Sequence, residues 1–316
     1  MRIVLLDRLS LGEDTPIERL GSFSEVVSYD KTPENLVSER IRGAEVIIIN
    51  KIKITREVLK NAKGLKLICV FATGYDNIDI EAAREYGVGV CNVPGYSTDS
   101  VALLTTSCVL ALYTHLYEYR RFVTSGDYSA SGTPNKLTPV YHELRGKVWG
   151  IVGYGNIGRA VGRIAEAFGA RVIATKRTPT DEVECTNLET LCRESDIITL
   201  HCPLTKDTEG MINKDTLGLM KKNVVLFNAA RGKVVVEDDV ARAVEEGLIG
   251  AFGSDVFTEE PFSRGSAFDR IKDYDNVILT PHTAWGAYES RCRCMDIVCE
   301  NILSFIDGKI LNRVDI

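Results

Sequence analysis

Short, nearly continuous apolar runs alternate along the chain with amphipathic stretches, a pattern that predicts parallel sheets. In the first part, Ile3 to Asp7, Val46 to Ile49, Leu67 to Val70 and Val88 to Cys91 read as strands, with helices at Pro33 to Arg42, Thr55 to Ala62 and Ile80 to Tyr86. A long apolar helix is predicted from Asp99 to Phe122, then a glycine- and polar-rich loop from Ser125 to Thr138. Alternation resumes at Val148, with strands near Val172 to Ala174, Ile197 to Leu200, Val224 to Asn228, Ile249 to Gly253 and Val277 to Leu279, and a last helix at Ala287 to Ile306. The expected fold is α/β: two doubly wound parallel-sheet domains, one flavodoxin-like and one Rossmann, with a cleft between them. The last helix follows completion of the second sheet, so it is expected to return to the first domain. That gives a substrate-binding domain of residues 1–99 and 285–316 and a dinucleotide-binding domain of 100–284, with hinges near Asp99 and Ala284.

Ile151 to Gly158 reads Ile-Val-Gly-Tyr-Gly-Asn-Ile-Gly, between a strand-like run and a helix-period run through Ile157, Val161, Ile164 and Phe168. In that context the glycines have distinct uses: Gly153 for the tight turn, Gly155 for backbone approach to a pyrophosphate, and Gly158 for helix packing on the strand. The helix N-terminus then presents N–H groups to the phosphates. Where an NAD site places an acidic residue on the ribose 2′-hydroxyl, this chain has Ala174-Thr175-Lys176-Arg177-Thr178. The cations suit a 2′-phosphate, so NADP(H) is expected over NAD(H).

Composition narrows the classes. The chain has 316 residues, 45% of them hydrophobic, enough for two cores, and a net charge of −6 that leaves no basic footprint for nucleic acid. No apolar stretch reads as a membrane span, and Met1 to Asp7 reads as a first strand rather than a signal peptide. Nine cysteines without a Cys-x-x-Cys suit free thiols and a cytoplasmic setting. Cys292, Cys294 and Cys299 read as buried thiols, and no metal is expected.

Three segments, each after a predicted strand, carry the candidate chemistry: Asn228-Ala229-Ala230-Arg231-Gly232, Asp255 to Pro261, and Pro281-His282-Thr283-Ala284. Ligands bind beyond the carboxyl ends of strands in open α/β sheets, so Arg231, Glu260 and His282 are expected to converge. His115, His142 and His201 are assigned no chemistry. In this order, behind the glycine motif and His201-Cys202-Pro203-Leu204-Thr205, the segments resemble the D-isomer-specific 2-hydroxyacid dehydrogenase family over essentially the whole chain. The resemblance implies that Arg231, Glu260 and His282 are catalytic, that Gly74 supplies a substrate-binding amide, and that Asp255 contacts the nicotinamide carboxamide. The motifs and the resemblance together give the expected cofactor contacts: Thr105, Gly153, Tyr154, Gly155, Asn156, Ile157, Gly158, Thr175, Lys176, Arg177, Cys202, Pro203, Thr208, Ala229, Ala230, Arg231, Asp255, His282 and Ala284, of which Thr175, Lys176 and Arg177 are read from the residues and depart from the family's NAD pattern.

Hydride delivery to a 2-oxo acid builds negative charge on the C2 oxygen, which calls for a proton donor and a fixed cation. His282 fits the donor, Glu260 the group that orients and stabilises the imidazolium, and Arg231 the fork that grips a carboxylate. Lys51, Thr73, Gly74, Tyr96 and Trp285 are the candidate substrate contacts. Asn92 to Ala102 and Pro281 to Trp285 resemble the glycerate dehydrogenase/hydroxypyruvate reductase branch, which implies reduction of hydroxypyruvate to D-glycerate, with glyoxylate as a second substrate. The alternatives are another 2-oxo acid of D-lactate-like, branched or aromatic type, formate oxidation, or a non-enzymatic dinucleotide-sensing corepressor. A homodimer is implied, with Ser125 to Leu144 and Trp149 as interface material.

Overall fold

Val46–Ile49 and Leu67–Val70 are buried along their entire length, as central strands covered on both faces must be. The computed structural model describes residues 1–23 and 25–316, which form two compact units: Met1–Ser97 with Gly286–Ile316, and Thr98–Trp285.

The first unit holds five strands, β1 (Arg2–Leu5), β2 (Glu25–Ser28), β3 (Val46–Ile49), β4 (Leu67–Val70) and β5 (Gly89–Cys91), in the order β2-β1-β3-β4-β5. All are parallel, with Ile3 opposite Val46 and Val46 opposite Leu67. Between them run α1 (Val37–Arg40), α2 (Arg56–Asn61) and α3 (Ile80–Glu85). The Asp79 carboxylate caps α3 by accepting the Ala82 N–H at 2.8 Å. The sequence pattern misses β2, because this edge strand is only half-buried and lacks a long apolar run. It also overextends the first helix, which is a 3₁₀ turn at Glu34–Leu36 followed by α1.

The second unit opens with α4 (Thr98–Tyr113), α5 (Leu116–Thr124) and α6 (Asp127–Ala130). It continues with β6 (Val148–Val152), α7 (Asn156–Ala167), β7 (Arg171–Thr175), β8 (Glu184–Cys185), α8 (Leu188–Glu194) and β9 (Ile197–Leu200). Then come α9 (Lys214–Leu217), β10 (Val225–Asn228), α10 (Glu237–Glu245), β11 (Ala251–Ser254), α11 (Ala267–Ile271) and β12 (Val277–Leu279). The seven strands lie in the order β12-β11-β10-β9-β6-β7-β8, all parallel, with the order reversing on either side of β6. One face carries a core with residues from α4 and α7, and the other a core with residues from α8, α10 and α11. The chain then returns to the first unit as α12 (Tyr288–Ile306), which packs on β4.

The long helix expected from Asp99 to Phe122 is broken. Thr114 donates its hydroxyl to Leu110 O at 2.7 Å, and His115 takes a left-handed φ of 53°, so α4 and α5 are separate rods. His115 therefore lies at the break rather than inside a helix. Trp149, expected at an interface, is fully buried in β6 and donates Nε1–H to Thr199 Oγ1 at 3.2 Å. Among the described residues, no single helix is long and apolar enough to cross a membrane, though α4 and α5 together pass by length and composition as a pair bent by 64°. No group of residues with metal-binding geometry is found among them.

Candidate active site

The loops that follow β10, β11 and β12 leave three adjacent strands at the same sheet edge, and buried polar side chains lock them together. Asn228, fully buried, accepts the Ala230 N–H at 3.0 Å on Oδ1 and donates Nδ2 to Arg231 O at 3.0 Å, which sets the backbone turn at Arg231. Asp255 accepts from Thr280 Oγ1 at 2.7 Å, Thr283 N at 2.8 Å and Ala284 N at 2.9 Å. Burial pushes the Asp255 carboxyl up, while those hydrogen bonds and the nearby His282 pull it down. Most of its acceptor capacity is thus used to hold the histidine loop.

His282 sits in that loop with a left-handed φ of 49°, an uncommon conformation for a non-glycine residue and one held by the surrounding bonds. Its Nδ1 is 2.7 Å from Glu260 Oε2, and Glu260 Oε1 accepts the Phe257 N–H at 3.1 Å. Trp285 Nε1 donates to His282 O at 3.0 Å, so the indole braces the histidine backbone. Arg231 joins them through its neighbour: a Cβ on Gly232 would fall within bonding distance of the Phe257 carbonyl carbon, so the Arg231 turn lies directly on the segment that carries Glu260.

The glycine-rich turn lies on the same sheet, after β6. Gly153 has φ 93°, and a Cβ there would lie 2.6 Å from the Cys202 backbone nitrogen, so only glycine fits under the His201-Cys202 segment. A Cβ on Gly158 would overlap the Gly153 carbonyl. A Cβ on Gly155, by contrast, would meet nothing within 4 Å: it faces open space at the N-terminus of α7, where no side chain caps the helix. These residues fit a dinucleotide pyrophosphate, because the open space adjoins unsatisfied helix N–H groups.

The other cofactor positions divide by what their side chains do. Tyr154 is buried against Gly162 of α7 and Cys202 points its thiol toward Met211, so only their backbones remain for a ligand. Thr208 shapes the Pro203 to Thr208 turn by donating to Pro203 O at 2.7 Å and accepting the Thr205 N–H at 2.8 Å. Thr105 is fully buried, with no hydrogen-bond partner for its hydroxyl among the described residues. Ala284 O accepts from Ser100 Oγ at 2.5 Å. Lys176 and Arg177 follow β7 at Thr175, and the fold brings a carboxylate near Lys176 that lies outside the usual sequence window. Glu182 binds Arg159 of α7 through bonds of 2.5 and 2.9 Å and lies close enough to Lys176 for the cation to help hold its carboxyl low.

His201, given no role by its sequence context, also stands out. Both ring nitrogens are buried without a hydrogen-bond partner among the described residues, and burial pushes its pKa down to about 3, so it is neutral.

In the first unit, the candidate substrate residues occupy loops at the carboxyl ends of β3, β4 and β5. Thr73 Oγ1 donates to Val93 O at 2.8 Å, and Tyr96, nearly buried, has its carbonyl engaged by Ser290 and Arg293. Lys51 and Gly74 lie in two loops joined by Asn77, which donates Nδ2 to Ile52 O at 2.7 Å. The sequence pattern gives Asn77 no weight, since its partners are in a different loop.

A parallel seven-stranded sheet with this glycine turn and this histidine–carboxylate pair is an arrangement that suits dinucleotide-dependent chemistry. Residues 106–284 match the family model described as D-isomer specific 2-hydroxyacid dehydrogenase, NAD binding domain. The chain is 35% identical to a hydroxypyruvate reductase of Blautia hydrogenotrophica, covering 100% of both chains, and 36% identical to a glycerate dehydrogenase of Methylorubrum extorquens, covering 99% of both. A solved D-lactate dehydrogenase of Aquifex aeolicus, complexed with NAD and lactic acid, superposes with a TM-score of 0.86 at 29% identity, covering 100% of this chain and 99% of that one. The chain belongs to the D-isomer specific 2-hydroxyacid dehydrogenase family and is an oxidoreductase that uses a nicotinamide dinucleotide.

Proposed function

We propose that the protein reduces hydroxypyruvate to D-glycerate with NADPH, taking glyoxylate as a second substrate. The observation that carries the chemistry is the 2.7 Å pairing of His282 Nδ1 with Glu260 Oε2 on a loop adjacent to Arg231. With Nδ1 engaged by the carboxylate, Nε2 is the nitrogen that passes a proton to the substrate oxygen. Glu260 holds the ring at one angle and offsets the positive charge of imidazolium before transfer. Arg231 grips the substrate carboxylate with its planar fork and draws charge toward the carbonyl oxygen. When bound, the reduced nicotinamide supplies the hydride to C2. The proton from His282 completes the hydroxyl, and neutral His282 accepts it back in the oxidation direction.

The names of the relatives support the substrate assignment, and the Lys51 side chain and the Gly74 backbone are assigned as the donors for a small anion. For the cofactor, Lys176 and Arg177 supply the cations that a 2′-phosphate needs. The first unit, with the Lys51 and Gly74 loops, is assigned to substrate, and the second to the dinucleotide. A homodimer accords with the exposed apolar side chains Leu116, Tyr117, Val123, Leu137, Val140 and Tyr141, which cluster in sequence on α5 and the loop after α6.

The deciding experiment is a matrix of hydroxypyruvate, glyoxylate, pyruvate and a branched 2-oxo acid against NADPH and NADH, read as loss of reduced cofactor absorbance. The highest kcat/KM is expected for hydroxypyruvate with NADPH. A branched or aromatic acid far above hydroxypyruvate removes the substrate assignment, and a clear preference for NADH removes the cofactor assignment.

A further inference from the structure

We propose that Asn77 is a positioning residue for substrate: its side-chain amide locks the Asn50-Lys51-Ile52 turn to the Thr73 to Asn77 loop and so fixes where Lys51 and the Gly74 backbone present their donors. The inference rests on the assignment of these loops to substrate binding.

Asn77 Nδ2 donates to two carbonyls of the neighbouring loop, Asn50 O at 3.3 Å and Ile52 O at 2.7 Å. The same two segments are stitched by backbone bonds, Ile54 N–H to Asn77 O at 2.9 Å and Asp79 N–H to Ile54 O at 2.9 Å. From the other side Asp7, buried beyond the end of β1, accepts the Asn50 N–H at 3.1 Å and the Lys51 N–H at 2.7 Å. The Lys51 backbone is therefore gripped twice, its own N–H by Asp7 and the flanking carbonyls by Asn77. A third loop joins through Asn92, whose Nδ2 donates to Thr73 O at 2.7 Å and whose own carbonyl accepts from Asn301 of α12 at 3.0 Å.

A small carboxylate is bound well only if its donors hold a fixed spacing, and donors on separate strand-end loops keep that spacing only when the loops are cross-bonded. The Asn77 side chain spans the two loops. Aspartate matches its shape but has no N–H, and it would set a carboxylate oxygen against two carbonyl oxygens.

The test is steady-state kinetics of wild type, Asn77→Asp, Lys51→Ala and the double variant, with hydroxypyruvate and NADPH. Each single change is expected to raise the KM for hydroxypyruvate about tenfold while leaving the KM for NADPH unchanged, as loss of one anchoring hydrogen-bond set implies. The double variant is expected to fall short of the product of the two single effects, because part of the Asn77 effect is exerted through Lys51 and is already lost when Lys51 is removed. Asn77→Ser, which keeps one donor, is expected to lie between wild type and Asn77→Asp, and it replaces Asn77→Asp in the same cycle if the aspartate chain does not fold. An unchanged substrate KM in Asn77→Asp, or fully additive effects in the double variant, overturns the proposal. Absence of turnover of every 2-oxo acid by wild type instead removes the substrate-loop assignment on which it rests, so the two failures are distinguishable.

Discussion

Glu260 serves two partners with one carboxylate: Oε2 lies 2.7 Å from His282 Nδ1 while Oε1 takes the Phe257 N–H at 3.1 Å. The backbone bond fixes the carboxylate, and the carboxylate fixes the ring. Glu260→Gln keeps the shape and loses the charge, so kcat for 2-oxo acid reduction is expected to fall about a hundredfold, with His282→Ala lower still. Stopped-flow measurement of cofactor oxidation checks this, and wild-type turnover in either variant removes the assigned roles.

Gly232 lies so close to the Phe257 carbonyl that any side chain must push the two loops apart. Gly232→Ala is expected to cost at least about 2 kcal/mol of stability, as overpacking against backbone does, and to lower turnover because Arg231 and Glu260 move relative to each other. Urea unfolding of the second unit's transition, with activity measured on the folded fraction, tests both parts.

His201 gives a pH dependence of stability. Its ordinary pKa of 6.5 falls to about 3 in the fold, so between those values the unfolded chain binds a proton that the folded chain does not. This contribution is complete above pH 6.5 and is lost as pH falls toward 3. His201→Asn is expected to flatten the decline in unfolding free energy between pH 6.5 and 5 relative to wild type, measured by denaturant titration at fixed ionic strength. An identical decline in both proteins contradicts it.

Lys176 follows the end of β7 and lies near the Glu182 carboxylate that binds Arg159. Lys176→Ala is expected to raise the KM for NADPH about tenfold and leave that for NADH nearly unchanged, since only the former carries the 2′-phosphate. Glu182→Gln is expected to shift the ratio the other way, toward NADPH. Equal changes for both cofactors in Lys176→Ala oppose the assignment.

The dinucleotide turn and the three strand-end motifs are readable in the sequence because each is local: a strand, a turn and the residues immediately after it. Their order along parallel strands then predicts that Glu260 and His282 meet. What is not readable depends on partners far along the chain or on which way a side chain faces. Asn77 acts on Asn50 and Ile52, Glu182 returns to Arg159, and Trp149 turns inward although it follows an exposed loop. The break at His115 escapes because the apolar pattern continues through it, while the left-handed turn of His115 is a backbone feature that the pattern does not carry. β2 escapes because a half-exposed edge strand needs little apolar sequence.

Arg313 to Asp315 complete the unit to which the five strands before Ser97 belong. Val314 N–H bonds to Val90 O at 2.9 Å, Asp315 accepts the Val90 N–H at 2.7 Å, and Cys91 bridges to Arg313, so the tail lines the outer side of β5. During synthesis β1 to β5 emerge before the second unit, and the margin of β5 stays uncovered until Arg313 to Asp315 have followed it. The intervening unit, Thr98–Trp285, has all its strands by then and can mature before the unit into which it is inserted.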